Sequence, residues 1–206
     1  MQVWCQFCRE IKLNKIDAQD IIIDDCILRE NKYFVLTLNI WTFNVWYTLL
    51  LPKRHIPWFS YLTRDEWDSF YEFQNTILPT IHRFFWPLVL FEHGWATSDL
   101  WCSCIQHAHL HIVPYDSNIV KFQSIWWEKL CSLEELTIYS IIEKPYLLYI
   151  YENKIFTKKC DFDCSQFFRK YIISQMWIEW EIWNRRKYQF KENMIQTKDI
   201  LKNSLK

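Results

Sequence analysis

The segment 106–114 carries histidines at three alternate positions, and this feature constrains the fold more than any other. Successive side chains of a β-strand point to opposite faces, so the histidines are predicted to share one face of a strand. These histidines are His107, His109 and His111. The intervening residues, predicted to pack inward, are Ala108, Leu110 and Ile112. Pro114 cannot donate a hydrogen bond to a sheet and is expected to end the strand.

Three imidazoles on one face suit chemistry better than packing, because histidine is only intermediate in its tendency to be buried. Imidazole changes its charge near neutral pH, which suits proton transfer, nucleophilic attack or metal binding. The alternative is a chance run of histidines on an exposed strand, since short motifs carry false positives. The pattern favours a functional strand.

Composition limits the classes of function that remain. The chain has 206 residues and is 50% hydrophobic, which predicts one domain with a full core, or one domain plus an extension. Lys plus Arg and Asp plus Glu both number 24, so no bulk nucleic-acid binding is expected. The sequence has no apolar window long enough to cross a membrane and no secretory signal at its start. A cytoplasmic location is therefore expected, with reduced thiols among the eight cysteines.

Cys5 and Cys8 are separated by two residues, a spacing that lets both thiolates bind one metal ion from a tight turn. The same spacing serves redox motifs, but these need a thioredoxin-like βαβ context that the neighbouring sequence lacks. His55 follows a predicted strand. It is either a solvated turn residue or a third metal ligand.

Strands and one helix are predicted upstream of the histidines. Runs rich in β-branched and aromatic residues predict strands at 21–23, 33–38, 47–51 and 88–91. A helix is predicted over 63–85, with Thr63 as N-cap and Glu66 completing a capping box. Pro79 is expected to kink or divide this helix.

Residues 117–206 are predicted to form an extension on the same core, because no linker or repeat separates them from the rest. The predicted elements are a short helix at 133–142, a hairpin of strands 146–152 and 154–158, an amphipathic helix at 164–180 and a helical or frayed tail at 187–206.

The loop 95–104 leads into the histidine segment and contains several hydroxyl and thiol side chains. Backbone donors in such a loop can hold a phosphate group. Ser103 and the backbone of Cys104 are the candidate nucleotide-binding groups. The alternative is an ordinary polar turn.

The chain contains one glycine and 13 tryptophans, whereas ordinary usage predicts about 14 glycines in this length. Many tryptophans stand where a turn would favour glycine: Trp46, Trp86, Trp95, Trp126 and Trp127. We interpret most of them as glycines in the living organism, encoded by UGA codons that the translation table reads as tryptophan. The alternative is a genuinely tryptophan-rich protein.

Three motifs together resemble those of the histidine triad (HIT) superfamily. Segment 107–113 is similar to its His-x-His-x-His signature followed by two apolar residues, and segment 49–55 to its strand and Pro-Lys-x-His turn. Cys5 and Cys8 resemble the Cys-x-x-Cys of a zinc-bearing bacterial branch. The resemblance covers residues 1 to about 116, and Glu92-His93-Gly94 is similar to a subgroup with a C-terminal extension.

The resemblance implies an α+β, HIT-like fold with an antiparallel sheet of about five strands and packed helices. The expected division is a catalytic domain at 1–116 and a C-terminal α/β extension at 117–206. Family members are usually dimers, so a homodimer is expected, with a nucleotide substrate as partner.

The family chemistry implies a nucleotide hydrolase that acts at an α-phosphate through a covalent nucleotidyl-histidine. By this resemblance, His109 is the nucleophile and His111 contacts the phosphate or the leaving group. His107 belongs to the catalytic triad and, with Cys5, Cys8 and His55, completes a Cys₂His₂ site for structural Zn²⁺. The alternatives are a nucleotidyltransferase or phosphorylase of the same family, and a non-catalytic nucleotide-binding module.

Two departures from the family concern the phosphate and ribose contacts. Glu92-His93 stands where most members have an Asn-rich segment, and 102–104 stands where they have Gly-Gln-Ser. Trp101 would crowd a loop that members keep open, an objection that disappears if this residue is glycine.

Overall fold

We describe the chain from a computed structural model, in residues 5–18, 20–40, 42–85, 87–94, 105–115, 127–160, 167–175 and 190–205. Helices and antiparallel strands alternate along it, and the expected α+β class is confirmed. None of the helices in these ranges is long and apolar enough to span a membrane.

The strands form two antiparallel sheets within the described residues. The small sheet pairs β1 (Lys15–Ala18) with β2 (Ile21–Asp24). The large sheet contains β3 (Ile27–Glu30), β4 (Phe34–Leu38), β5 (Thr48–Pro52), β6 (Leu88–Gly94), β7 (Leu110–Pro114), β8 (Glu128–Leu130), β9 (Tyr146–Tyr151) and β10 (Lys154–Lys159). Its strand order is β3-β4-β5-β7-β6-β9-β10-β8, and the first five of these come from residues 1–116, which agrees with the expected number of strands. The strand predicted at 21–23 is instead β2 of the small sheet. The division of the chain at residue 116 stays a prediction.

Five helices lie in the described ranges: α1 (Gln6–Leu13), α2 (Arg64–His82), α3 (Thr137–Ile141), α4 (Phe167–Gln175) and α5 (Lys191–Ser204). Helix α2 begins at the predicted capping box, in which Glu66 N donates to Thr63 Oγ1 and Thr63 N donates to Glu66 Oε2. The expected division at Pro79 is wrong, because α2 continues to His82. Ile77 and Ile81 are fully buried on either side of Pro79. Burying two such side chains contributes about 3–6 kcal/mol, enough to offset the roughly 3 kcal/mol cost of an interior proline.

The large sheet is covered on both faces. One face packs against α2 and α5 in a core that includes Phe70, Ile77 and Met194. The opposite face carries a second core, which includes Phe7 of α1 and Phe168 of α4. The candidate site lies on this second face.

The strand predicted through all three histidines is shorter than expected. β7 begins only at Leu110, so a strand at His107 and His109 is wrong. The backbone departs from the ladder because Ala108 N donates to the Ile56 carbonyl at 2.7 Å, in the loop after β5. The predicted sidedness of the intervening residues is nevertheless confirmed, since Ala108, Leu110 and Ile112 all lie in the first core. The predicted end at Pro114 is also confirmed.

The C-terminal part continues the large sheet through β9, which pairs with β6. The predicted hairpin is confirmed, and its turn residues Glu152 and Asn153 both have positive φ, as a tight hairpin requires. The helix expected at 133–142 consists of a 3₁₀ turn, Leu133–Leu136, followed by α3. Helix α4 lies within the helix predicted at 164–180, and α5 lies within the helical or frayed tail predicted at 187–206. The sequence patterns did not predict α1, β1, β3 or β8.

One tryptophan occupies a backbone conformation that suits glycine. Trp46 has φ 76°, in the left-handed region where a side chain costs roughly 1–2 kcal/mol. Its indole is buried and stacks on Phe84, with ring centroids 4.8 Å apart. Trp58 and Trp67 are also buried in the core, but Trp58 has a negative φ and Trp67 lies inside α2. The backbone therefore supports the glycine interpretation at Trp46 and gives no such support at Trp58 or Trp67.

Candidate active site and metal centre

Helix α1 brings the two N-terminal cysteines to one side. Cys5 is its N-cap, with extended backbone, and Cys8 lies in its first turn. The expected tight turn is therefore wrong. A spacing of three residues at a helix start serves the same purpose, because such residues are neighbours on the helix surface.

Four potential ligand atoms converge beside this helix. Cys5 Sγ and Cys8 Sγ each lie 3.5 Å from His107 Nδ1, and Cys8 Sγ lies 3.4 Å from His55 Nδ1. All four ligand atoms lie within 4.8 Å of one another. A tetrahedral ion with metal–sulfur bonds of ~2.3 Å and metal–nitrogen bonds of ~2.0 Å would separate these atoms by about 3.5 Å. The group therefore fits a metal ion.

The hydrogen bonding of His107 prepares it to be a ligand. Its Nε2 donates to the carbonyl of Pro52 at 2.8 Å, which leaves the lone pair on Nδ1, facing both thiols. A backbone carbonyl commonly orients metal-binding histidines in this way. Burial lowers the pKa of His107 to about 4, so its imidazole is neutral near pH 7.

His109 has the opposite tautomer. Its Nδ1 lies 2.7 Å from the carbonyl oxygen of His107, which can only accept, so the proton is on Nδ1 and the lone pair on Nε2. Burial, aided by the positive charge of Arg169 and opposed by this hydrogen bond, lowers the pKa of His109 to about 4. His109 is half-buried, whereas His107 and His111 are buried. It is the most accessible of the three.

His111 is held inside the second core. Its ring stacks on Phe91 at a centroid distance of 4.5 Å, and its Nδ1 shares a hydrogen bond of 2.7 Å with the Tyr47 hydroxyl. Its ring centroid lies 4.9 Å from that of His109. Burial keeps the pKa of His111 well below its ordinary value. Tyr47 was not singled out by the sequence, since a tyrosine at a strand start is an ordinary core residue.

A buried carboxyl group lies behind His109. Glu92 in β6 accepts hydrogen bonds from the backbone N–H of Phe59 at 3.1 Å, from the Tyr146 hydroxyl and from the backbone of His109. Burial, opposed by these hydrogen bonds, raises its pKa to about 8. The sequence marked Glu92 only through comparison with the family pattern, and Tyr146 only as the start of a predicted strand.

Helix α4 adds two further contacts to this face. The backbone N–H of Phe168 donates to Nε2 of His93 at 3.3 Å, and the His93 ring lies 6.2 Å from that of His111. Burial lowers the pKa of His93 to about 3. The guanidinium carbon of Arg169 lies 5.5 Å from the centroid of Tyr47. The periodic pattern of the C-terminal part gave no sign that this arginine reaches the histidines.

The candidate phosphate loop lies outside the described residues. This applies to Ser103, Cys104 and the tryptophans at 95 and 101, so the nucleotide-binding assignment stays a prediction. The expectation of reduced thiols holds for Cys5, Cys8, Cys26 and Cys131. It is wrong for Cys160, which is disulfide-bonded.

One solved structure supports the fold, and others are similar to parts of the chain. The chain is similar to a hypothetical histidine triad nucleotide-binding protein from Sulfolobus tokodaii strain 7, with 15% identity and a TM-score of 0.51, over 98% of this chain and 91% of the other. A HIT family hydrolase from Clostridium thermocellum matches 57% of this chain and 95% of its own, with 14% identity and a TM-score of 0.42. A zinc-bound histidine triad family protein from Mycobacterium smegmatis matches 66% and 88%, with 17% identity and a TM-score of 0.41. No protein-family profile and no curated protein matches the chain.

Proposed function

We propose, on the premise that this chain has the histidine triad fold, that it is a nucleotide hydrolase acting at an α-phosphate. The proposed substrate is a dinucleoside polyphosphate or a nucleoside phosphoramidate. The tautomer of His109 is the observation that carries this proposal. A proton on Nδ1 and a lone pair on Nε2 make a half-buried, neutral imidazole ready to attack phosphorus.

The proposed reaction has two displacements. In the first, Nε2 of His109 forms a bond to the α-phosphorus, and the bond from phosphorus to the leaving group breaks. The leaving amine or phosphate takes the electron pair of that bond, and an amine takes a proton from solvent. In the second, water attacks phosphorus, releases a proton to solvent and frees His109 together with a nucleoside monophosphate.

The hydrogen bonds around His109 support this role. The carbonyl of His107 accepts from Nδ1 throughout and stabilises the positive charge that develops on the imidazole. His111 lies beside His109 and is oriented by Tyr47, which suits a contact to the phosphate or the leaving group. We assign the remaining phosphate contacts to Ser103 and the backbone of Cys104.

We propose Zn²⁺ as the ion bound by Cys5, Cys8, His55 and His107. Two thiolates and two imidazoles are ligands that zinc favours, and four protein ligands leave no open position for substrate. The metal would therefore be structural. It would tie α1 to the residue two positions before the nucleophile.

Trapping the covalent adduct tests the proposal. The wild-type protein, quenched during turnover of adenosine 5′-phosphoramidate, should carry an adenylyl group that peptide mass spectrometry maps to His109. His109→Ala should lower turnover by about 10⁴-fold or more, as expected for loss of a nucleophile, and should still bind adenosine monophosphate.

The matched control is His82→Ala, which removes a half-buried histidine at the end of α2, outside the site. Its turnover should equal that of wild type. A wild-type protein that releases no monophosphate from the phosphoramidate or from a dinucleoside polyphosphate would be a binding module instead. Pairing into a homodimer stays a prediction.

A further inference from the structure

Helix α4, which lies beyond the expected catalytic domain, is packed directly against the face that carries the histidines. The Phe168 ring lies 4.9 Å from that of Phe91, which in turn stacks on His111. The Phe168 backbone N–H donates to His93 in β6. Two contacts therefore join Phe168 to β6, whose Phe91 pairs with His111 of β7, and they hold the next residue of the helix on this side of the sheet.

That next residue, Arg169, carries a buried charge. It is 2% exposed, and its guanidinium lies over the ring of Tyr47, whose hydroxyl is hydrogen-bonded to His111. A guanidinium stays protonated in proteins, so this is a permanent positive charge. Buried guanidinium groups are commonly paired with a carboxylate or a phosphate group, whose oxygens match the guanidinium fork.

The surroundings of Arg169 make the site attractive to an anion. Burial is the largest cause of the low pKa values of His93 and His111, and the charge of Arg169 contributes to both. Arg169 therefore brings a positive charge to the side of the sheet that carries these histidines. A nucleoside phosphate that reached His109 would place its negative oxygens in this positive field.

Resting on the function proposed above, we propose that Arg169 is a catalytic residue that binds the α-phosphate oxygens at His109, so that α4 completes the active site. A guanidinium presents parallel N–H donors that match phosphate oxygens. It would hold the substrate phosphate and stabilise the charge that grows on these oxygens as His109 attacks. The competing interpretation is a purely structural brace between α4 and Tyr47.

Binding of two ligands that differ only by the phosphate separates these interpretations. Calorimetric titration of Arg169→Met should show affinity for adenosine monophosphate lowered by roughly 10- to 100-fold, as expected for the loss of a charged hydrogen bond. Affinity for adenosine should stay within about twofold. Adduct formation with adenosine 5′-phosphoramidate should slow by about 10²-fold or more.

Lys170→Met is the matched control, because it removes an exposed positive charge from the adjacent position of α4. It should leave both affinities and the adduct rate unchanged. Arg169→Lys keeps the charge without the forked donors and should lie between wild type and Arg169→Met. If thermal unfolding shows that Arg169→Met does not fold, Arg169→Lys is compared with Lys170→Met in the same way.

Three results would overturn the assignment. One is a folded Arg169→Met that binds adenosine monophosphate as wild type does. Another is a folded variant that loses adenosine and its monophosphate equally, as a structural brace predicts. The third is a wild-type protein that binds the monophosphate no better than adenosine. If the wild type forms no adduct but Arg169→Met selectively loses the monophosphate, the phosphate contact holds and the hydrolase proposal fails.

Discussion

The metal-ligand group includes His107, and a second group of residues supports His109, two positions further along the chain. The two groups are built differently. Cys5, Cys8, His55 and His107 all come from the first 107 residues and meet through atoms 3.4–3.5 Å apart. The support combines Glu92 of β6, which accepts from the His109 backbone, with Tyr146 of β9, and Arg169 of α4 lies nearby over Tyr47. Metal ligands follow recognisable spacings because the ion dictates their chemistry. Supporting residues follow none, because any element that packs nearby can supply them.

The tautomers of His107 and His109 differ, because each imidazole donates to its backbone carbonyl from a different ring nitrogen. His107 donates from Nε2 to Pro52 and keeps its lone pair on Nδ1, towards the thiols. His109 donates from Nδ1 to the His107 carbonyl and keeps its lone pair on Nε2. Two histidines of one motif therefore carry their lone pairs on different ring nitrogens. The backbone carbonyls that accept these two hydrogen bonds determine which ring nitrogen carries the proton.

Removing one metal ligand should have the largest effect on stability. We expect Cys8→Ser to lose one bound zinc per chain and several kcal/mol of unfolding free energy, since structural zinc binds small domains with roughly 10–16 kcal/mol. Metal analysis and denaturant unfolding measure both. Cys131→Ser, which removes an exposed thiol outside the group, should change neither. A wild-type protein that is as stable without its metal as with it would contradict the structural role of the ion.

The pH dependence of stability tests the buried carboxyl group of Glu92. The pKa of Glu92 is about 8 in the folded chain against 4.5 ordinarily, so between these values the folded state holds a proton that the unfolded chain has released. The contribution of Glu92 to the unfolding free energy should therefore fall as pH rises, by about 1 kcal/mol per pH unit between pH 7 and 8. Chemical denaturation of wild type and Glu92→Gln measures it. The variant should lack this slope.

The difference in slope between wild type and Glu92→Gln isolates Glu92 from its neighbours. The buried histidines near it have lowered pKa values and stay neutral in the folded chain, whereas in the unfolded chain a fraction of them is still protonated at pH 7. They add a smaller slope of opposite sign, which wild type and variant share. Glu72→Gln, on the exposed side of α2, should keep the wild-type slope. An unchanged slope in Glu92→Gln would mean that this carboxyl is ionised in the folded chain.

The smallest effect concerns the backbone just before Tyr47. Trp46 has φ 76°, a conformation that costs a residue with a side chain roughly 1–2 kcal/mol and glycine almost nothing. We expect mass spectrometry of the native protein to find glycine at this position, in the segment that presents Tyr47 to His111. An indole mass there would show that the strain is real and would refute the codon interpretation at this position.

Sequence reasoning succeeded where one local pattern sufficed. The capping box at Thr63 and Glu66, the hairpin at 152–153 and the strand end at Pro114 each depend on residues close in sequence. It failed at α1 and at the start of β7. At β7, the hydrogen bond from Ala108 N to the Ile56 carbonyl, in a distant segment, sets the backbone.

The histidine motif by itself determined which side chains are available for chemistry, because residue type and spacing are properties of the chain. Only the tertiary structure decided what each histidine does. The tautomer of His107 depends on the Pro52 carbonyl, 55 residues away in sequence. The environment of His109 depends on its hydrogen bond to Glu92 and on the charge of Arg169, both of which come near it only after the sheet and α4 have packed. Proton positions and buried charges are set by contacts in space.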